Sequence, residues 1–257
     1  MELRAEFFTG DGRRAQGQEV VFPILAMGDG PLDTICLGTG FFVSNSGIFA
    51  TAAHLFLDVT GSDGALNAGL AICQFTPPNN FTMRRIIQLS RHTVADVAVG
   101  AVESLFDEQS GKLVTNKMLP MTVRIPKIGD EISTWAYPNG HARRTSNQTA
   151  ISLFPKLYTG VVKMEHREGR DSVLLPGPCY ETDMCIEAGT SGGPVMNEHG
   201  HVFAINSSSF EGIPTTYVSH IQSIGGLPLR DCQIEGGERL ATITIGALIK
   251  GGQIPLS

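Results

Sequence analysis

The sequence predicts an all-β protein built of two antiparallel six-stranded β-barrels, and three observations carry that prediction. Short apolar runs of strand length recur along the chain, separated by clusters of Gly, Pro, Asn and Ser. The 257 residues include 30 glycines and 14 prolines, with 42% apolar and 17% charged, a composition suited to many turns rather than to a helical bundle. Ser44-Asn45-Ser46-Gly47, set between two apolar runs, reads as a hairpin turn and makes its flanking strands antiparallel.

The first series of expected strands runs Val20 to Met27, Cys36 to Val43, Ile48 to Ala53, Leu70 to Phe75 and Val97 to Val102. The second runs Met121 to Ile125, Ile132 to Ala136, Leu157 to Val162, Ser172 to Leu175, His201 to Asn206 and Thr215 to Val218, with Leu240 to Ile249 as one strand more. Each half holds enough strands to close a small barrel, which removes exposed sheet edges. The polar stretch Asp107 to Pro120 reads as the linker, dividing the chain into residues 1–115 and 116–257. Helical spacing is brief: Val102 to Glu108, just after His54, and from His220 onward.

Charge and cysteine usage exclude several function classes. The net charge is −6 and the basic residues are scattered, so no field attracts a phosphate backbone and no nucleic-acid partner is expected. The N-terminal residues lack a basic stretch followed by an apolar run, and no segment approaches the ~18 apolar residues of a membrane helix. The expectation is a cytoplasmic protein with no membrane partner. Cys36, Cys73, Cys179, Cys185 and Cys232 are odd in number and irregular in spacing, a poor disulfide framework that points to a reducing compartment and buried thiols. Cys179 and Cys185 form no Cys-x-x-Cys pair, and His199 and His201 flank Gly200 as in a hairpin turn, so neither a metal nor a cofactor is expected.

The chemistry concentrates in Glu187-Ala188-Gly189-Thr190-Ser191-Gly192-Gly193-Pro194-Val195. Glycines beside a serine let the backbone turn tightly, turning the hydroxyl outward while amide N–H groups converge. The N–H groups of Gly189 and Ser191 would then bind the oxygen that becomes negative when a carbonyl is attacked, an oxyanion hole. A serine hydroxyl needs a base to take its proton, and the base needs a partner to fix its tautomer. Thr51-Ala52-Ala53-His54 ends one apolar run with a histidine, and Ala95-Asp96-Val97-Ala98-Val99 starts another with a carboxylate. Asp58, Asp63 and Asp107 are other aspartates of the first half, and none precedes an apolar run in this way.

These segments resemble the trypsin-like, chymotrypsin-fold serine peptidases. Gly38-Thr39-Gly40-Phe41-Phe42-Val43 with Thr51-Ala52-Ala53-His54 is similar to the family's catalytic-histidine region, Asp96-Val97-Ala98 to its aspartate segment, and Gly189 to Pro194 to its nucleophile loop. Their order is the family's own, and the resemblance covers roughly residues 20 to 225. Gly200-His201-Val202-Phe203-Ala204-Ile205-Asn206 resembles the strand after the nucleophile in the HtrA-like branch, although the residues beyond the second barrel are too few for that branch's PDZ domain. Thr190 stands where secreted members have an Asp that pairs with a new N-terminus, and Leu55 where they have a cysteine, which sets the chain apart from zymogen activation and secretion.

The resemblance implies a serine endopeptidase with His54, Asp96 and Ser191 as its triad in a cleft between the barrels, acting on protein or peptide substrates. It places the primary pocket at Cys185, Ser207, Ser208, Thr215 and Tyr217. These residues carry no fixed charge, so a small or medium apolar side chain is expected before the scissile bond. Uncontrolled proteolysis in a cytoplasm is toxic, so control by a regulatory protein partner is expected. Two readings compete: a non-catalytic binding or scaffold protein on the same fold, and a peptidase that processes its own chain.

Overall fold

In the computed structural model of the chain, described over residues 6–10, 12–27, 34–57, 69–76, 80–106, 111, 113–144, 149–209, 213–234 and 239–257, the strands form two closed barrels. A short hairpin of β1 (Glu6–Phe8) and β2 (Arg14–Gln16) leads into one helical turn, α1 (Gly17–Val20). The first barrel then consists of β3 (Val21–Met27), β4 (Thr34–Phe42), β5 (Ile48–Thr51), β6 (Gly69–Thr76), β7 (Asn80–Arg91) and β8 (Ala98–Val102), closed in the order β3-β4-β5-β8-β7-β6. The second consists of β9 (Glu131–Ala136), β12 (Lys156–His166), β13 (Cys179–Thr182), β14 (Pro194–Asn197), β15 (Val202–Ser209) and β16 (Thr216–His220). A hairpin of β10 (His141–Arg144) and β11 (Thr149–Ser152) projects between β9 and β12.

All pairings within the barrels are antiparallel, including that of β4 with β5 across the hairpin at 44–47. Gly47 takes φ +92° there, and the Ser44 hydroxyl accepts the Ile48 N–H at 3.1 Å. The first barrel is filled by Phe22, Phe41, Phe42, Phe49 and Phe56, all 0% exposed. Each such ring contributes about 1.5–3 kcal/mol of burial. β3 is covered along nearly its whole length, which accounts for its continuous apolar run in place of alternation.

The strand expectations fail in three places. Met121 to Ile125 forms no strand, and Met121 makes only isolated parallel bridges to Val202 and Leu256. Ser172 to Leu175 is a turn folded on Asp171, whose carboxylate accepts the N–H groups of Val173 and Leu174. Leu240 to Ile249 divides into β18 (Arg239–Thr244) and α2 (Ile245–Lys250), because the Thr244 hydroxyl caps the helix by accepting the Ala247 N–H at 3.2 Å. β18 pairs with β17 (Pro228–Gln233), and this hairpin packs on β7 of the first barrel, where the Arg230 N–H donates to Gln88.

Of the expected helical stretches, short 3₁₀ turns occur at Ala53–Phe56 and Ile221–Ile224. Val102 ends β8 instead, and residues 107 and 108 lie outside the described residues. The linker is held to the first barrel where it is described: the N–H groups of Asn116 and Leu119 donate to the carbonyls of Asn45 and Phe42. No helix among the described residues is long and apolar enough to cross a membrane. The five cysteines are free thiols; Cys73, Cys179 and Cys232 are buried, Cys36 is partly covered and Cys185 is exposed. Burial pushes Cys36, Cys73 and Cys179 up to about 11, which keeps them protonated at neutral pH.

Candidate active site

β5 ends at Thr51, and the chain turns at once into the 3₁₀ turn that carries His54. Thr51 is buried and donates its hydroxyl to the Thr39 carbonyl at 2.7 Å, fixing where the turn starts. Asp96 sits two residues before β8, which pairs with β5, so the two strands bring histidine and aspartate together. The Asp96 carboxylate accepts the His54 backbone N–H at 2.9 Å with one oxygen and lies 2.7 Å from His54 Nδ1 with the other. Asp96 is largely covered, its side chain 12% exposed, while the His54 ring is 39% exposed. That geometry orients the imidazole and leaves Nε2 for a second partner. Asp58, Asp63 and Asp107 lie outside the described residues.

The Ser191 loop comes from the second barrel and docks on the first. The Ser191 carbonyl accepts the Thr39 N–H at 2.8 Å. A Cβ on Gly192 would lie 2.1 Å from the Thr39 carbonyl and 2.2 Å from the Thr51 hydroxyl, and Gly192 has φ +86°, so only glycine fits. The Ser191 loop is thereby set against β4 and against the end of β5 that leads into His54. The Ser191 Oγ is 3.5 Å from the carbonyl of Ser207, which a register shift between Asn206 and Ser208 takes out of the β15–β16 ladder.

The peptide planes of this loop are fixed through their carbonyls. The Ala188 carbonyl accepts the Asn139 N–H at 2.9 Å, and the Thr190 carbonyl accepts Gly193 N–H at 3.0 Å and Asn206 Nδ2 at 3.3 Å. In a planar trans peptide the N–H points opposite to the carbonyl, so the N–H groups of Gly189 and Ser191 are turned the other way. Neither donates to an acceptor among the described residues. Asn139 reaches its position with φ +50°, and its side chain donates to Glu187, which also pairs with Lys156. Asn139, Glu187, Lys156 and Thr39 were not singled out from the sequence as site residues. Pro138-Asn139-Gly140 is a turn signal that pointed at the first of them.

The residues expected to form the primary pocket occupy different settings. Cys185 is exposed, Ser208 and Thr215 are partly covered, and Ser207 is buried with its hydroxyl 2.7 Å from that of Ser219. Tyr217 is packed into a small cluster with Leu175 and Cys179. The Arg170 guanidinium lies 4.6 Å from the Tyr217 ring centre, a cation that the pocket residues alone did not reveal. Asp171 pairs with it, and the N–H groups of Leu174 and Val173 hold the Asp171 carboxyl well below the usual carboxylate range, so the pair carries no net charge. No cluster of metal-ligating residues occurs among the described residues.

Comparison with known proteins adds to this geometry. The solved structure of Deg5 superposes with a TM-score of 0.59 at 18% identity, covering 81% of this chain and 86% of that one. The active form of the Rv3671c protease from M. tuberculosis gives 0.56 at 16% identity over 80% and 78%. The HtrA-type protease AlgW with a decapeptide gives 0.54 at 16% over 80% and 62%. At such identities the likeness is one of fold. No curated protein matches the chain at a significant level. The family model of the trypsin-like peptidase domain matches residues 38–205, from β4, which receives the Ser191 loop, into β15, and the chain belongs to that family.

Proposed function

We propose that the protein is a serine endopeptidase in which Ser191 attacks the scissile carbonyl, His54 takes its proton and Asp96 orients and stabilises the imidazolium. The observation that carries this reading is the double contact of Asp96 with His54, through the backbone N–H and Nδ1, beside a Ser191 loop seated on the same strands. His54 then protonates the leaving amine, and water repeats the sequence on the acyl-enzyme. The N–H groups of Gly189 and Ser191 bind the developing oxyanion, with their orientation maintained by the partners of the Ala188 and Thr190 carbonyls.

The side chain before the scissile bond is small or medium and apolar. Cys185, Ser207, Ser208 and Thr215 offer no charge, Tyr217 backs the pocket, and Arg170 is offset by Asp171. A peptide library read for cleavage tests this preference, and dominance of Arg, Lys, Asp or Glu at that position would overturn it. The reaction itself is tested by fluorophosphonate labelling and casein cleavage by the wild type and Ser191→Ala. Labelling and cleavage in the wild type are expected, with turnover falling about 10⁴- to 10⁶-fold in the variant. A folded wild type that neither labels nor cleaves would favour the scaffold reading, and a single internal cut in its own chain alone would favour self-processing.

A further inference from the structure

The turn that presents Asp96 is folded around an imidazole nitrogen. His92 Nδ1 accepts the N–H of Val94 at 3.1 Å and that of Ala95 at 2.8 Å. The His92 N–H donates to the Val97 carbonyl at 2.9 Å, and the Val97 N–H to the Ala95 carbonyl at 2.8 Å. Asp96 is thus enclosed in a loop whose two ends are bonded to each other and whose middle is bonded to the ring of its first residue.

The two donors stand two and three residues after the histidine, the positions that an Asp or Asn side chain serves in an Asx turn. A neutral imidazole supplies an equivalent acceptor only through an unprotonated Nδ1, with the ring proton on Nε2. The bond to Ala95 has no substitute. Ala95 is 2% exposed, and a Cβ on Gly177 would lie 2.6 Å from its Cα and 3.0 Å from its N, so the loop of the second barrel closes over it. A buried N–H left without a partner costs free energy comparable to a lost hydrogen bond, and Asp96 is the next residue in the chain.

We propose that His92 is a positioning residue for the catalytic aspartate, its Nδ1 replacing an Asx side chain in the turn that aims both Asp96 oxygens at His54. This rests on the reading of Asp96 as a triad member. A carboxylate must keep both contacts at once, a tolerance on the order of 0.5 Å for a working site.

Three substitutions separate this role from general packing. Asn places its Oδ1 the same number of bonds from Cα as Nδ1, whereas Gln places its amide one bond further, near the Nε2 position. His92→Asn is expected to keep most of the wild-type turnover. His92→Ala and His92→Gln are expected to lose about 10- to 100-fold in kcat with little change in KM, the range for a displaced catalytic group. The downfield NMR resonance of the His54 Nδ1 proton, which reads the bond to Asp96 without turnover, is expected to persist in His92→Asn and to weaken in the other two. Folded Ala or Gln variants with wild-type kcat and an unchanged resonance would overturn the proposal, as would a folded His92→Asn as impaired as His92→Gln. Where His92→Ala does not fold, the Asn and Gln pair decides. A wild type without Ser191-dependent turnover would instead defeat the peptidase reading, and the resonance alone would then test the turn.

Discussion

Three imidazoles of this chain sit in three different settings. His54 faces a carboxylate, His92 accepts from backbone, and His220 is sealed against Tyr180, the rings 4.1 Å apart and 15° from parallel. His220 Nε2 is buried with no partner among the described residues. Desolvation holds its pKa below the ordinary histidine value, with Glu165 pulling weakly the other way. In the unfolded chain this ring takes a proton near pH 6.5, while the folded protein resists doing so until lower pH. Between those values the unfolded state binds more protons, so stability rises with pH there: the contribution is complete above about 6.5 and is lost as pH falls toward the folded value. His220→Phe keeps the stack and removes the titration. Its thermal midpoint should fall less than that of the wild type between pH 8 and pH 5; equal losses would show that His220 is not a source of the acid sensitivity. At this scale Ser191, His54 and Asp96 stand out in the sequence as candidates because each lies in a short local motif. His92 and Asn139 escaped because their roles are set by backbone geometry, an imidazole folded back on its own turn in one case and a positive φ in the other.

β7 carries its information inward as a charge. Arg84 is 1% exposed, donates to Gln74 Oε1 at 2.8 Å, to Asn116 Oδ1 and to the Glu103 carbonyl at 2.7 and 3.1 Å, and lies 5.7 Å from the Phe42 ring centre. Desolvation brings its pKa down to about 10, with Glu103 opposing, so it remains charged at neutral pH. No carboxylate among the described residues bonds it directly; neutral oxygens do, and one belongs to the linker. Replacing Arg84 by Met therefore strands Gln74 Oε1 and the Glu103 carbonyl, leaves Asn116 Oδ1 with Gln74 Nε2 as its one donor among the described residues, and loosens the segment that Glu103 and Asn116 tie to the barrel. A loss of about 3 kcal/mol or more is expected from urea unfolding, together with new proteolytic cleavage in that segment. An Arg84→Met protein as stable as the wild type would mean that the network contributes nothing net. The same arginine explains why β7 was not expected: at an inward position where the alternation calls for an apolar residue, Arg84 beside Arg85 breaks the strand pattern. β13 and β14 were missed as four-residue strands too short to show a period. β3 and β6 were legible because cover along most of their length leaves a continuous apolar run.

The two barrels share one apolar core, and beside the site they are joined through the side chain of Thr39. Thr39, in β4 of the first barrel and 0% exposed, donates its hydroxyl to the Gly189 carbonyl at 2.9 Å and accepts the Tyr137 N–H at 3.1 Å, both from the second barrel. Its N–H reaches the Ser191 carbonyl and its own carbonyl receives the Thr51 hydroxyl, so a single residue couples the strand before His54 to the loop that holds Ser191. Gly38 beside it has no room for a Cβ, which would lie 2.7 Å from both Leu55 and the Ser191 carbonyl. Backbone therefore packs on backbone at the joint, and the hydroxyl is the one group that can be removed without a clash. Thr39→Val is close in shape but leaves the Gly189 carbonyl and the Tyr137 N–H unpaired in a dry interface, at a cost of about 1–3 kcal/mol for each stranded group. If the Gly189 N–H binds the oxyanion as proposed, turnover should fall more than the thermal midpoint alone accounts for: the loss should appear in kcat, with affinity for a peptide aldehyde falling in parallel. Thr39→Ser, which keeps the hydroxyl, should restore both. If Thr39→Val lowered stability yet left kcat and aldehyde affinity at wild-type values, the joint would hold the barrels together without setting the oxyanion loop.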